Sequence, residues 1–244
     1  MNRDKRVAIS FVVPAYNEEV ELPGMLRALR TAAEAAGQPY EIIVADDAST
    51  DGTPQIAEQF GARVVAVHRR QIAATRNAGA AVARGEILFF VDADSQIEPG
   101  HVTAAIEALE GGFAGGGAVM QLHGETPLWV RAFTPVFCTV YFTVMNLGAG
   151  AFLFTTRRNF AAVGGFDEQY FAGEEIYFTQ ALKQLGRFKM LKQPVRTSAR
   201  KVRMHSGWYL WSRCFLILLG GRNGVLSREK LDLWYDGKRE RNAR

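Results

Sequence analysis

Cysteine is scarce: Cys138 and Cys214 are the two in 244 residues. That excludes a disulfide framework and makes a reducing compartment the default. The glycine-rich phosphate cradles are missing as well. No G-x-G-x-x-G opens the first βα turn, and no G-x-x-x-x-G-K-[ST] occurs anywhere, so dinucleotide dehydrogenases and P-loop enzymes fit poorly. A membrane-spanning run is also lacking. Residues 132–156 carry no Asp, Glu, Lys or Arg, but Thr134, Pro135, Thr139, Thr143, Asn146 and a Gly148-Ala149-Gly150 break divide them. Each half falls short of the roughly 20 apolar residues a spanning helix needs, so a buried helix followed by a buried strand is expected. The first apolar run stops at Pro14 and acidic residues, too soon for a signal peptide, and reads as a strand.

What is present is an ordinary globular composition, 48% hydrophobic and 22% charged, ample for one large core and against disorder. The net charge of +4 is uneven, with Arg196, Arg200, Lys201, Arg203, Arg213, Arg222 and others crowding the last third. Such an end attracts phosphate or an anionic membrane surface, or is simply solvated. No nucleic-acid module accompanies it.

Apolar, β-branched runs at Val7 to Val13, Tyr40 to Ala45, Arg63 to Val67 and Ile87 to Val91 predict four strands. Between them, Leu22, Met25, Leu26 and Leu29 fall at helical spacing, Thr53-Pro54 opens a second helix, and Ile72 to Val82 is Ala-rich. Pro99 to Leu109 follows as a fourth helix. This alternation predicts an α/β fold, a single domain with a mostly parallel central sheet and helices on both faces. The second half reads as less regular: a Gly-rich bend at 111–117, the uncharged stretch, a Gly164-Gly165 turn, and a helix from Glu174 to Leu185.

Three of the strands end in polar clusters: Pro14 to Glu19, Asp46-Asp47-Ala-Ser49-Thr-Asp51, and Asp92-Ala-Asp94. Ligands of open parallel sheets bind beyond these carboxyl ends. Carboxylates gathered there repel one another unless a cation or donors sit among them, and oxygen-rich, cysteine-free sets suit Mn²⁺ or Mg²⁺. Asp51 and Ser49 read equally well as turn and cap formers.

These residues resemble the family 2 glycosyltransferases of GT-A fold. The matching pieces are PAYNEE (14–19), DDASTDGT (46–53), TRNAG (75–79), VDAD (91–94), GGFDE (164–168) and GEE (173–175). Each is weak alone, but six in this order make a strong signal. The resemblance implies an inverting, metal-dependent transfer from a nucleotide-sugar donor, hexosyl donors included. It implies that Pro14, Tyr16 and Glu18 line the nucleotide site, that Asp47 bonds the base, and that Arg76 approaches the donor's phosphates or base edge. Asp92 would face ribose or metal and Asp94 would hold the metal. Gln96 would join them, because DADSQ resembles the segment of dolichol-phosphate mannose synthases, with His205 as a late ligand. Glu175 would be the catalytic base, with Glu174 as the alternative; both also read as first-turn acids of a helix.

It implies three regions: a nucleotide-sugar-binding half (1–120), an acceptor and catalytic-base half (121–205), and an aromatic, basic helical end (206–244). A base is needed by a hydroxyl acceptor and not by a phosphate, so GEE favours a hydroxyl on a glycan or lipid-linked acceptor, with polyprenyl phosphate as the alternative. Trp208, Tyr209, Trp211 and Phe215 to Leu219 beside Arg213 and Arg222 suit either core packing or peripheral association with the inner face of a membrane. Phe133, Phe137, Tyr141 and Phe142 line an acceptor groove or the core. Otherwise the expected location is cytoplasmic. A sugar nucleotidyltransferase is disfavoured by the acidic loop after the first strand, and a non-catalytic binding protein by the intact Asp92, Asp94 and Glu175.

Overall fold

The computed structural model describes residues 7–124, 126, 127, 129, 130, 134, 135 and 138–200. His205, Phe133, Phe137 and the aromatic, basic region 206–244 lie outside the described residues. The first half alternates as expected: β1 (Ile9–Ala15), α1 (Leu22–Ala35), β2 (Tyr40–Asp47), α2 (Thr53–Gln59), β3 (Arg63–Val67), α3 (Ile72–Val82) and β4 (Ile87–Phe90). All four strands run parallel, in the spatial order β3-β2-β1-β4. Strand β1 is buried along its whole length, which is why its sequence reads as a continuous apolar run rather than an alternation.

Successive strand residues face opposite sides, and each side has its own core. Phe11, Val13, Val44, Phe89 and Val91 pack with Leu22, Met25, Leu26 and Leu29 of α1. Val12, Ile43, Leu88 and Phe90 pack with Ala73 and Ala80 of α3 and, from the second half, Phe178 and Leu182. The second side is knitted by aromatic rings, with Phe166 and Phe178 stacked at 4.2 Å and Phe90 edge-on to Phe166 at 4.9 Å.

The second half continues the same sheet with β5 (Ser95–Gln96), α4 (Pro99–Glu110), β6 (Gly115–His123), a π-helical turn (Thr139–Val144), β7 (Leu153–Thr156), α5 (Arg157–Ala162), α6 (Glu174–Leu185) and β8 (Phe188–Ser198). Strand β7 inserts antiparallel between β4 and β6, β8 is parallel to β6, and β5 is antiparallel at the edge. The stretch 132–156 thus ends in a buried strand, and no described helix is long and apolar enough to cross a membrane.

The glycine run at 115–117 is a strand and not a bend. A Cβ at Gly116 would overlap the Phe154 ring and the Lys189 carbonyl, and one at Gly115 would lie 2.7 Å from the Phe154 carbonyl. Glycine stands here because β7 and β8 approach too closely for a side chain, a packing reason that composition disguises as a turn signal. Gly116→Ala is therefore expected to destabilise the fold by about 3 kcal/mol, measured by urea unfolding. An unchanged midpoint would contradict this packing.

Candidate functional site

Because β2 and β3 lie on one side of β1 and β4 on the other, the strand order reverses between β1 and β4. Open sheets offer their ligand crevice at such a point, beyond the strand carboxyl ends. The loops carrying PAYNEE and DAD flank it. The first loop is zipped to the loop after β2: Asn17 N donates to Ser49 Oγ (2.9 Å), Glu18 N to Thr53 Oγ1 (2.7 Å), Thr50 N to Asn17 Oδ1 (2.8 Å) and Gly52 N to Glu19 Oε2 (2.9 Å). Asn17 and Ala48 adopt left-handed backbone at φ 52° and 63° to allow this. Asp51 accepts from Thr53 N (3.0 Å) and Glu19 N (3.2 Å), so Ser49 and Asp51 are loop formers.

Asp47 takes a different part from the base contact expected of it. Its carboxylate accepts from the amides of Arg69 (2.9 Å), Arg70 (2.8 Å) and Gln71 (2.9 Å) and from Thr75 Oγ1 (2.9 Å). A carboxylate has about four acceptor positions, and the protein fills them, anchoring the start of α3. The neighbouring Asp46 is the available group. Its Oδ2 accepts from Ser49 N at 3.2 Å, while Oδ1 is buried without a partner among the described residues. A buried acceptor left unsatisfied is costly and marks a place where a ligand donor fits. Close by, Arg70 lies 3.2 Å over the Tyr16 ring, and Pro14 is held in β1 opposite Ala45.

Helix α3 ties the motifs to one another, one residue each. Thr75 bonds Asp47; Asn77 donates to the Phe166 carbonyl (2.8 Å) and Glu168 (3.0 Å) of GGFDE. Gly79 leaves room for Val12 of β1. Arg76 is 1% exposed; its Nη2 donates to Asp92 Oδ1 at 2.8 Å and its Nη1 to Glu174 Oε1. Burial disfavours its charge, but Asp92, Glu174 and Glu175 outweigh that and raise its pKa further. Arg76 was expected to approach the donor's phosphates or base edge; its two terminal nitrogens are held by protein carboxylates, while Nε has no partner among the described residues. Glu174, the alternative base, is committed as its partner and is buried.

Glu175 is the less buried member of the pair. Burial and the Glu174 charge push its carboxyl up to about 8, with Asp92 adding to and Arg76 opposing the rise. Gly150 completes the cluster from above. A Cβ there would overlap Arg76 Nη2 and sit 3.0 Å from Asp92 Oδ2. Tyr141 of the π-helical turn holds this roof, donating to the Gly148 carbonyl at 3.1 Å, and burial and the two glutamates raise its phenol pKa. Such turns recur at functional positions.

Asp94 accepts from Thr197 Oγ1 at 3.2 Å. Gln96 lies over the start of α1, its Nε2 3.8 Å from where a Gly24 Cβ would be. Glu18 is held by Arg200, which donates to both its oxygens at 2.9 and 3.0 Å. Among the described residues no three His, Cys, Asp or Glu form a ready-made metal cage. Asp92, with 30% of its side chain exposed, and Asp94 nevertheless offer hard oxygen donors. Mg²⁺-type ions are typically held by one or two carboxylates and completed by substrate phosphates, so the donor set fits such an ion.

This mostly parallel α/β sheet, with carboxylates at its switch point, is the GT-A fold. Solved structures that share the fold include two bound to nucleotide sugars. TarS (residues 1–349) of S. aureus, in complex with UDP-GlcNAc, aligns at TM-score 0.63 and 18% identity over 95% of this chain and 71% of that one. The mannosyltransferase PcManGT of Pyrobaculum calidifontis, in complex with GDP-Man and Mn²⁺, aligns at TM-score 0.63 and 21% identity over 88% of this chain and 63% of that one. The model of Glycosyl transferase family 2 matches residues 10–157, and the chain belongs to that family. Curated relatives include undecaprenyl-phosphate 4-deoxy-4-formamido-L-arabinose transferases. One from an Enterobacter species is 32% identical over 50% of this chain, and one from Pseudomonas paraeruginosa is 35% identical over 43%. The matched stretches span only 39% and 33% of those proteins.

Gly150 and Arg200 escape the sequence reading of the site, which names Asp46 only within a cluster and Tyr141 only for an acceptor groove or the core. Adjacent residues of β2 face opposite sides, so Asp46 and Asp47 take different parts, which the cluster Asp46-Asp47 alone does not reveal. Gly150→Ala is expected to lower sugar-donor turnover by about a hundredfold through displacement of the Arg76–Asp92 contact, with the far-ultraviolet circular dichroism unchanged. Wild-type turnover in that variant would remove Gly150 from the site.

Proposed function

We propose that this chain is an inverting glycosyltransferase that moves a sugar from a nucleoside-diphosphate sugar to polyprenyl phosphate at a membrane surface. The observation that carries this reading is the placement of Glu175 beside the Arg76–Glu174–Asp92 cluster, where burial and the Glu174 charge push its carboxyl up to about 8 and disfavour its charged form. A phosphate acceptor brings its own nucleophilic oxygen and needs no base. It does need a wall that does not repel it, and a neutral Glu175 is such a wall. The names of the relatives, undecaprenyl-phosphate sugar transferases, support the same acceptor.

On the donor side, Asp46 Oδ1 offers an acceptor for a base N–H, beside Tyr16 and Arg70. When Mn²⁺ or Mg²⁺ is bound, Asp92 and Asp94 would hold it, and it would supply positive charge for the departing diphosphate. Arg76 keeps Asp92 and Glu174 in place while the acceptor oxygen attacks the anomeric carbon from the face opposite the leaving group. A lipid-borne acceptor also suits the outer face of the π-helical turn, where Val140, Val144 (73% exposed) and Met145 stand in solvent beside Tyr141.

The second reading keeps a hydroxyl acceptor with Glu175 as general base, since a carboxylate of raised pKa is the stronger base. One pH series separates the two. With a short-chain polyprenyl phosphate, kcat/KM should hold below pH 8 and fall above it as Glu175 ionises and repels the acceptor. The Glu175→Gln variant should stay within about threefold of wild type at pH 7 with that fall gone. A rise through pH 8 that Glu175→Gln abolishes, together with its activity, would contradict the phosphate reading and establish the base.

A further inference from the structure

The tip of β8 fastens three separate pieces of the donor crevice. Thr197 Oγ1 accepts from Ser95 Oγ (3.2 Å) and donates to Asp94 Oδ1 (3.2 Å), while Ser198 N donates to the Asp94 carbonyl (3.1 Å). Ser198 Oγ reaches Glu21 Oε1, just ahead of α1, at 2.9 Å. Two residues on, Arg200 grips both oxygens of Glu18 in the first loop, 182 positions away in sequence. Both partners are buried, Glu18 at 8% and Arg200 at 4% exposure. Burial disfavours the guanidinium charge, and Glu18, Asp94 and Glu21 more than offset it.

A buried ion pair of this kind is not explained by stability. The desolvation of both charges consumes most of what their attraction returns, whereas a well-packed apolar pair would do as well or better. What a bidentate Arg–carboxylate contact does supply is fixed geometry. The geometry fixed here is that of the two walls of the crevice, because one short segment bonds Glu18 on the β1 side and Asp94 on the β4 side.

We propose that Arg200 and Thr197 are positioning residues for the donor site, setting the separation across the switch point between the Tyr16–Glu19 loop and Asp94. They act through Glu18 and Asp94 rather than by touching the transferred sugar. The inference rests on the reading of this crevice as a nucleotide-sugar site. It makes the segment Thr197-Ser198-Ala199-Arg200 part of the donor machinery, although composition alone counts Arg200 with a basic surface.

The test is calorimetric binding of UDP and of GDP with Mn²⁺ to the full chain, in wild type, Arg200→Lys, Arg200→Gln and Thr197→Val, with melting temperatures measured in parallel. The better-bound nucleotide should lose about tenfold in Kd in each variant, the scale of one charge-assisted hydrogen bond. Donor KM should rise in step, while kcat at saturating donor stays within about threefold. Variants that melt lower yet bind the nucleotide as wild type does would overturn the proposal, as would a loss confined to kcat. Thr197→Val keeps a β-branched residue of similar shape, so it decides the matter if the Arg200 variants do not fold. If the wild-type chain binds neither nucleotide, the donor-site reading fails and this inference with it; if wild type binds and the variants bind equally, only this inference fails.

Discussion

The buried guanidinium of Arg76, held between Asp92 and Glu174, is the contact on which the rest of the site depends. A single cation at 1% exposure would be prohibitively costly without carboxylates on both sides, and each carboxylate would be costly without it. It joins the end of β4 to the first turn of α6, across 98 residues on the Glu174 side. It also leaves an imbalance. Asp92 and Glu174 together exceed its charge by one, so the next carboxyl in the cluster, Glu175, resists ionisation. The raised pKa of Glu175 comes first from its burial and then from the Glu174 charge, and Arg76 only partly offsets it.

The same economy of contacts runs through the rest of the crevice. Strand order places the carboxyl ends of β1 and β4 on either side of a switch point, and the loops there are short of apolar residues to pack. Hydrogen bonds replace packing: Asn17 with Ser49 and Thr50, Asp47 with the amides that open α3, Thr197 with Asp94. Almost every polar group that the motifs contribute is consumed in holding another motif. The exceptions are informative, because Asp46 Oδ1, Arg76 Nε and the exposed edge of Asp92 are among the groups left for a ligand.

The first four strands and the helices between them were legible because both cores demand continuous apolar runs in the strands and a single apolar face on each helix. The six motifs likewise marked the right end of the sheet. What the residues could not announce was which polar groups face each other. Asp46 and Asp47 are chemically alike, and only the packing of α3 makes the second structural. Arg76 reads as a ligand of the donor's phosphates or base edge until its two carboxylate partners are seen, one of them 98 residues away. Gly115 to Gly117 carry a turn signal for a reason that lies in β7 and β8. Gly150 read only as part of a chain break and Arg200 only as part of a basic end, since each matters through residues distant in sequence.

The most direct measurement is the sugar-donor turnover of the Arg76→Lys variant at pH 7, with circular dichroism to check the fold. Lysine keeps the charge but cannot bridge two carboxylates in a fixed plane. If Arg76 organises the site, turnover falls by at least about a hundredfold while the fold persists. Wild-type turnover in a folded Arg76→Lys chain would show that charge alone suffices and that the bridging geometry is not what the site requires.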